Sequence, residues 1–383
     1  MTPLASLINV HATFVEVPLL GAEIDCLTVA KRTEGSRGFA ERQAALEGLS
    51  RLSRYLLKLR PEVARGQVSR TKIVDIAHAS RHQWTLEGPE PHDIIRVGER
   101  LIAAFCGEVR VLDPESGATE MLIAHQHFSN LHSVSAHSVD RDKILLANPG
   151  MDDVIELSLS TGRIDRTWRP IDHGLDIGPF GIPLVSRRTS PSGRTVVDAE
   201  AAHRRLVDDE LSGEWAILAD TSTATAPRWL EKWQRSTEPN WAGYDGSGDQ
   251  FLASLFCADS IVRVDVASGT ILTRREGFIW PHGAIRLAPD RLLTTDTGRA
   301  HVHILDNNFE TVSAFDFSTF PVEAGRSNRI EWLQFTCPLD DAGTFATVDA
   351  RRCQLYVWQL AERIYSTYAY SPDILLKLVR PAV

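Results

Sequence analysis

Three histidines, His92, His132 and His282, each stand ahead of an apolar run that leads into a polar turn: HDIIRVGER, HSVSAHSVDR and HGAIRLAPDR. In the last two an Asp follows eight residues after the His. Three neutral imidazoles brought to one point suit a divalent transition metal such as zinc, iron or copper. Three protein ligands with one position open is the pattern of a catalytic rather than a structural centre. Such a metal lowers the pKa of bound water, polarises a carbonyl or binds dioxygen. Asp93, next to His92, is placed to accept the far N–H of an imidazole. His137 and His203 are further catalytic candidates, His203 by reaching over from a polar insertion. His125, His127 and His137 compete with His132 for the second ligand position, because "AHQHFSNLHSVSAH" holds four histidines.

These positions are up to 190 residues apart, so only a repeating architecture brings them together. Four stretches repeat one pattern: PHDIIRVGERLIAAFCGEVRVLDPESGAT (91–119), LHSVSAHSVDRDKILLANPGMDDVIELSLSTGRI (131–164), NWAGYDGSGDQFLASLFCADSIVRVDVASGTI (240–271) and PHGAIRLAPDRLLTTDTGRAHVHILDNNFETV (281–312). Each reads as a short strand, a polar turn, an apolar strand, a Gly- or Asp-containing turn and an alternating strand. A turn such as ESG, STG or ASG then follows. IEWLQFTCPLDDAGTFATVDARRCQLYVWQL (330–360) is a fifth copy with an insertion. Meanders of three or four strands every ~40–50 residues are the blades of a β-propeller. The spacing agrees: 40 residues from His92 to His132, 41 from Trp241 to His282, and 50 from His282 to Trp332. The expectation is an all-β six-bladed propeller, with five blades as the alternative and residues 172–235 as a degenerate blade or a lid.

The first strand of each blade lines the axis, so equivalent positions converge there. The fourth copy offers Asn240 or Trp241 at that level and the fifth Trp332 or Gln334, with Trp280 flanking. These would give a small-molecule substrate its pocket walls, or else pack between blades. Asn148, Asp296 and Asp349 close the second strand of three blades and begin turns. His301 and His303 alternate on a strand and face solvent or a neighbouring blade.

Residues 1–85 read as an N-terminal extension and 86–383 as the propeller, with an insertion around 186–212. Phe39, Leu46, Leu49, Leu52, Leu56 and Leu59 fall at helical spacing, which predicts an amphipathic helix over 39–59. Alternation in 12–20 or 72–78 could supply the strand that closes the ring, since an open propeller leaves strand edges unpaired. The insertion, SRRTSPSGRTVVDAEAAHRRLVDDELSG, is either a lid over one face or an exposed excursion.

The stretches "PHD…", "LHSV…DRDKILLANPGMDDVIELSLSTG" and "PHGAI…PDRLLTTDTGRAHVHILD" resemble the enzyme-type propellers, a set that includes arylsulfotransferases, gluconolactonase-like proteins and streptogramin lyases. The resemblance spans 91–360 and identifies no single family. It implies chemistry at the central axis, carried by histidine or a bound metal.

The net charge of −9 and the absence of a long Lys/Arg run argue against a nucleic-acid partner. No stretch approaches the ~18 consecutive apolar residues of a membrane helix, so no membrane partner is expected. Five scattered cysteines without CxxC spacing suit a cytoplasmic chain with buried thiols. GxGxxG, GxxxxGK[ST], GxSxG and HExxH are all missing. The resulting expectation is a metal-dependent lyase, cyclase or hydrolase acting on a small organic molecule in the axial pocket. An iron or copper oxygenase on the same site is the second reading, and a non-catalytic propeller that binds a protein or peptide is the third.

Overall fold

Short turns set the sheet order. In DPESG and DVASG the Asp carboxylate accepts from both the backbone and the hydroxyl of the Ser three residues on, at 2.6–2.7 Å for Asp113–Ser116 and 2.7 Å for Asp265–Ser268. The glycines that follow, Gly117 and Gly269, have φ of +69° and +72°, a region that costs glycine little. These turns fold the third strand of a blade back onto the fourth. The computed structural model describes residues 7–32, 65–178, 181–185, 195–197, 215–218, 230, 234–322, 331–371 and 374–382. His203, the 39–59 helix expectation and most of 186–212 lie outside them.

Six antiparallel four-stranded meanders result. Blade 1 is Pro91–Val97, Arg100–Phe105, Glu108–Leu112 and Thr119–Ala124. Blade 2 is Ser133–Ala136, Lys143–Asn148, Asp153–Ser158 and Ile164–Trp168. Blade 3 is Pro239–Asp245, Gln250–Leu255, Ser260–Asp265 and Ile271–Glu276. Blade 4 is Pro281–Ala288, Arg291–Asp296, His301–Leu305 and Thr311–Asp316. Blade 5 is Leu333–Pro338, Thr344–Asp349, Gln354–Gln359 and Ile364–Ala369. In blade 6 the C-terminal strand Ile374–Pro381 is innermost, followed outward by Asp25–Arg32, Arg65–Lys72 and Trp84–Pro89. Innermost strands of successive blades pack against one another around the ring. The protein is therefore an all-β, six-bladed propeller.

Burial follows position in the blade. Second strands such as RLIAAF and TFATVD are buried almost throughout, because neighbouring blades cover both faces. The outermost strand Ile271–Glu276 alternates half-buried and exposed, as expected of a sheet edge with one wet face. Between blades 4 and 5 the core is aromatic: Phe315, Phe317, Tyr356 and Trp358 are fully buried.

Three sequence expectations need correction. The ring is closed neither by 12–20 nor by 72–78. Ile374–Pro381 closes it by pairing with Asp25–Arg32, so chain ends some 350 residues apart in sequence share one blade. Val15–Glu16 instead pairs in parallel with the outer strand of blade 5, and Leu7–Asn9 with that of blade 4. A boundary at residue 85 therefore cuts through blade 6. The described residues of 172–235 add no blade to the ring, because the innermost strands of blades 2 and 3 pack directly together. The described strands of that segment, Leu184–Val185, Thr195–Val197 and Trp215–Leu218, form a small sheet with parallel pairings. Leu218 O of this sheet accepts from Gln234 Nε2 at 2.9 Å, and nearby in sequence Leu230 N–H donates to Gly150 O of blade 2 at 2.8 Å.

Candidate functional site

A recurrent irregularity builds the axis. The register of the innermost strand slips between Pro91 and Asp93, Pro239 and Trp241, Leu333 and Phe335, and Leu376 and Leu378. The extra residues are His92, Asn240, Gln334 and Lys377, and a bulge of this kind re-aims its side chain. His282 borders the slip in blade 4. Ahead of these positions the chain passes through left-handed φ at Glu90 (41°), Asn130 (59°), Glu238 (51°) and Trp280 (55°), an unusual conformation for residues with a Cβ. One residue per blade thus reaches the axis: His92, His132, Asn240, His282, Gln334 and Lys377.

All six line one chamber, with Asp93, Trp241 and Phe335 in its wall. Its volume is about 30 Å³, room for about two water molecules. Pockets for organic ligands run to roughly 300–1,000 Å³. Six of the residues expected at the axis from the sequence (His92, His132, His282, Asn240, Trp241 and Gln334) are brought together here. The sequence reading missed Lys377, because its strand begins no repeat.

The chamber's field is cationic. His92 Nε2 lies 3.1 Å from the Lys31 ammonium, which is itself paired with Glu90. Burial first, then His132, Lys31 and Lys377, hold His92 well below the usual imidazole range. Burial and Lys377 and Lys31 do the same to His132. His282 is pushed down to about 3, by burial and then Lys377. All three rings are neutral at pH 7. His92 and His132 stack at 4.0 Å between centroids. His282 Nδ1 sits 2.7 Å from Thr297 Oγ1 and 3.1 Å from Trp280 O. Asn240 Oδ1 accepts from Ser254 at 2.8 Å, while its buried amide nitrogen has no partner. Gln334 Oε1 accepts from Trp332 Nε1 at 2.8 Å.

Asp93 does not accept from an imidazole. Its oxygens take the amides of Ile94 (2.8 Å) and Val134 (2.9 Å) and the Arg380 guanidinium (3.2 Å), so it ties blades 1, 2 and 6 together. His137 lies at the far end of its strand, roughly 16 Å from His132 at ~3.3 Å per residue. There its Nδ1 accepts the amides of Val139 and Asp140. His127 pairs with Asp153 at 2.7 Å. Asn148 and Asp296 accept amides of Ser129 (2.7 Å) and Ile279 (2.8 Å), pinning the connectors that enter the innermost strands of their own blades.

Trp280 and Trp332 stand above the chamber rather than in it. With Phe256, which the sequence reading missed, they form a half-buried cluster beside His282. Phe256 stacks on Trp280 at 5.9 Å and 13°, Trp280 meets Trp332 at 5.6 Å, and Phe256 meets His282 edge-on at 5.6 Å. Charged pairs stand at the same level: Lys31–Glu90, Arg235–Glu238 at 2.9 Å, and Arg352–Glu331 at 2.8 Å. A larger cavity of about 420 Å³ lies between blades 2 and 3, beside Trp168, His173 and Phe251, and includes none of the axial residues.

Fold and site together define a six-bladed β-propeller with a narrow polar axis and an aromatic mouth. No family model and no curated protein matches the chain. Among solved structures it is similar to the beta-propeller domain of Cps50 (Swd1) from Myceliophteria thermophila, at 12% identity and a TM-score of 0.43, over 77% of this chain and 78% of that one. It is also similar to the WD40 domain of Pan2 from Neurospora crassa, at 10% identity and a TM-score of 0.44, over 80% and 75%. These likenesses do not bear on what this chain binds. Among the described residues no helix is long and apolar enough to cross a membrane, and no cysteine forms a disulfide.

Proposed function

We propose that this propeller is a binding module that receives a protein or peptide partner at the mouth of its axial channel. The observation that carries this reading is the half-buried cluster Phe256–Trp280–Trp332, set over a chamber of only about 30 Å³. Large aromatic rings gathered at the channel mouth match the aromatic centre of protein interfaces. The reading as a metal-dependent lyase, cyclase or hydrolase, or as an oxygenase, has less support. The chamber is roughly a tenth of the smallest usual ligand pocket. The Lys31 ammonium occupies His92 Nε2, and Lys377 adds repulsion to any cation placed there.

Peptide display on the purified protein tests this. Selected peptides are expected to lose at least ~10-fold in affinity with Trp280→Ala or Trp332→Ala. Peptides bound equally well by both variants overturn the reading. So does a stoichiometric transition metal that is lost with His282→Gln.

A further inference from the structure

A second group of histidines lies away from the axis. His301 and His303 are two residues apart on the strand His301–Leu305, so they share one face. Asp296 and Asp316 pair directly with His301 from the two flanking strands, which puts their carboxylates on that same face. Asp296, His301 and His303 each offer a ligand atom, and these atoms all lie within 4.8 Å of one another. His303 Nε2 is 3.9 Å from Asp296 Oδ2. Ligand atoms ~2.1 Å from a tetrahedral ion stand roughly 3.4 Å apart. Small side-chain rotations therefore close the site.

His303 itself points to a missing ligand. Both of its ring nitrogens are buried and neither has a hydrogen-bond partner, although the side chain is only 14% exposed. Orphaned buried polar atoms are costly, and native structures ordinarily satisfy them. Phe278 covers the ring edge-on at 5.6 Å, which fixes its plane. Asp316 Oδ1, 3.7 Å from His301 Nε2, is the carboxylate to which a metal-bound imidazole ordinarily donates its other N–H. Arg299 holds Asp296 Oδ2 at 2.6 Å, yet it is 42% exposed, and a carboxylate oxygen has a second lone pair for a cation.

We propose that Asp296, His301 and His303 form a site for a divalent transition metal, on blade 4 and independent of the axis. Two imidazoles and one carboxylate are the donor set of borderline ions such as zinc. The site would cross-link two adjacent strands of the blade and give one of the two orphaned nitrogens a partner.

The test is titration of the full chain, stripped with a chelator, with Zn²⁺ followed by calorimetry, and with Co²⁺ followed by visible absorption. The wild type is expected to bind one ion, with Co²⁺ showing ligand-field bands. Zinc should also raise the thermal midpoint, since it binds only the folded state. His301→Gln, on the more exposed ligand, and His303→Phe, which keeps a ring in the buried slot, should each weaken binding at least ~100-fold. His282→Gln should leave it unchanged. No binding by wild type, or full binding by a folded His301→Gln, overturns the proposal, and if His303→Phe fails to fold, His301→Gln alone decides.

Discussion

On the axis, His92, His132 and His282 have ammonium groups for neighbours, with Lys31 at 3.1 Å from His92 and Lys377 acting on all three. On blade 4, His301 and His303 sit beside the carboxylates of Asp296 and Asp316 instead. Both sets of rings are neutral and largely buried. They differ in what their nitrogens already touch, and in the two carboxylates that face His301, although Arg275 and Arg299 also act on His303. His92 and His282 have polar neighbours within hydrogen-bond distance, whereas His303 has none. Residue type alone therefore does not mark a metal site. Convergence at an axis looked decisive in one dimension, and what the ring nitrogens of His92 and His282 already touch reverses the reading.

The largest expected effect comes from acid. Each axial imidazole is neutral in the fold and ordinary when unfolded, so the unfolded chain binds more protons as pH falls below about 6.5. A depressed imidazole contributes stability that is complete above that pH and is lost going down toward the folded value, about 3 for His282. For His282 the loss between pH 7 and pH 5 is about 2 kcal/mol, and His92 and His132 add losses of the same sign. Urea unfolding at pH 7 and pH 5 measures it, and His282→Gln should remove about one ring's share. A flat profile would mean that the axial rings are not held neutral.

Asp152 sharpens the contrast between saturated and open carboxylates. It accepts from Ser236 N (2.6 Å) and Oγ (2.9 Å), Thr237 N (3.1 Å) and Oγ1 (3.0 Å), and Glu238 N (2.6 Å). These bonds fasten the segment before blade 3 to blade 2. Asp152→Ala leaves those donors buried and should cost about 3 kcal/mol in denaturant unfolding. Peptide capture at the mouth should weaken with it. A loss below about 1 kcal/mol would show that the connector is held by other contacts.

The smallest effect is at His127. Burial works against its charge, but the hydrogen bond and charge of Asp153 raise it above the ordinary value. Its stabilisation is therefore full below about pH 6.5 and fades as pH rises through the raised value. With the side chain 30% exposed, solvent screening keeps the effect below about 1 kcal/mol. Asp153→Asn should bring the His127 pKa, read by NMR, down toward or below 6.5.

The sequence made the blades legible wherever local chemistry repeats. DPESG and DVASG turn as their Asp and Ser side chains require, and the polar residue ahead of each apolar run does reach the axis. The closing blade was illegible, because its innermost strand and its partners lie at opposite ends of the chain, with no repeat to align. Lys377 was missed for that reason, and so was Lys31, two residues whose charge decides the character of the axis. The alternation of His301 and His303 was visible. Their carboxylate neighbours were not, because pairing Asp296 and Asp316 with His301 depends on the register of three strands.

Anomalous diffraction from a crystal soaked in Zn²⁺, recorded on both sides of the zinc absorption edge, tests the contrast most directly. One peak is expected between Asp296, His301 and His303, and none on the axis. A peak between His92, His132 and His282, with blade 4 empty, would contradict it.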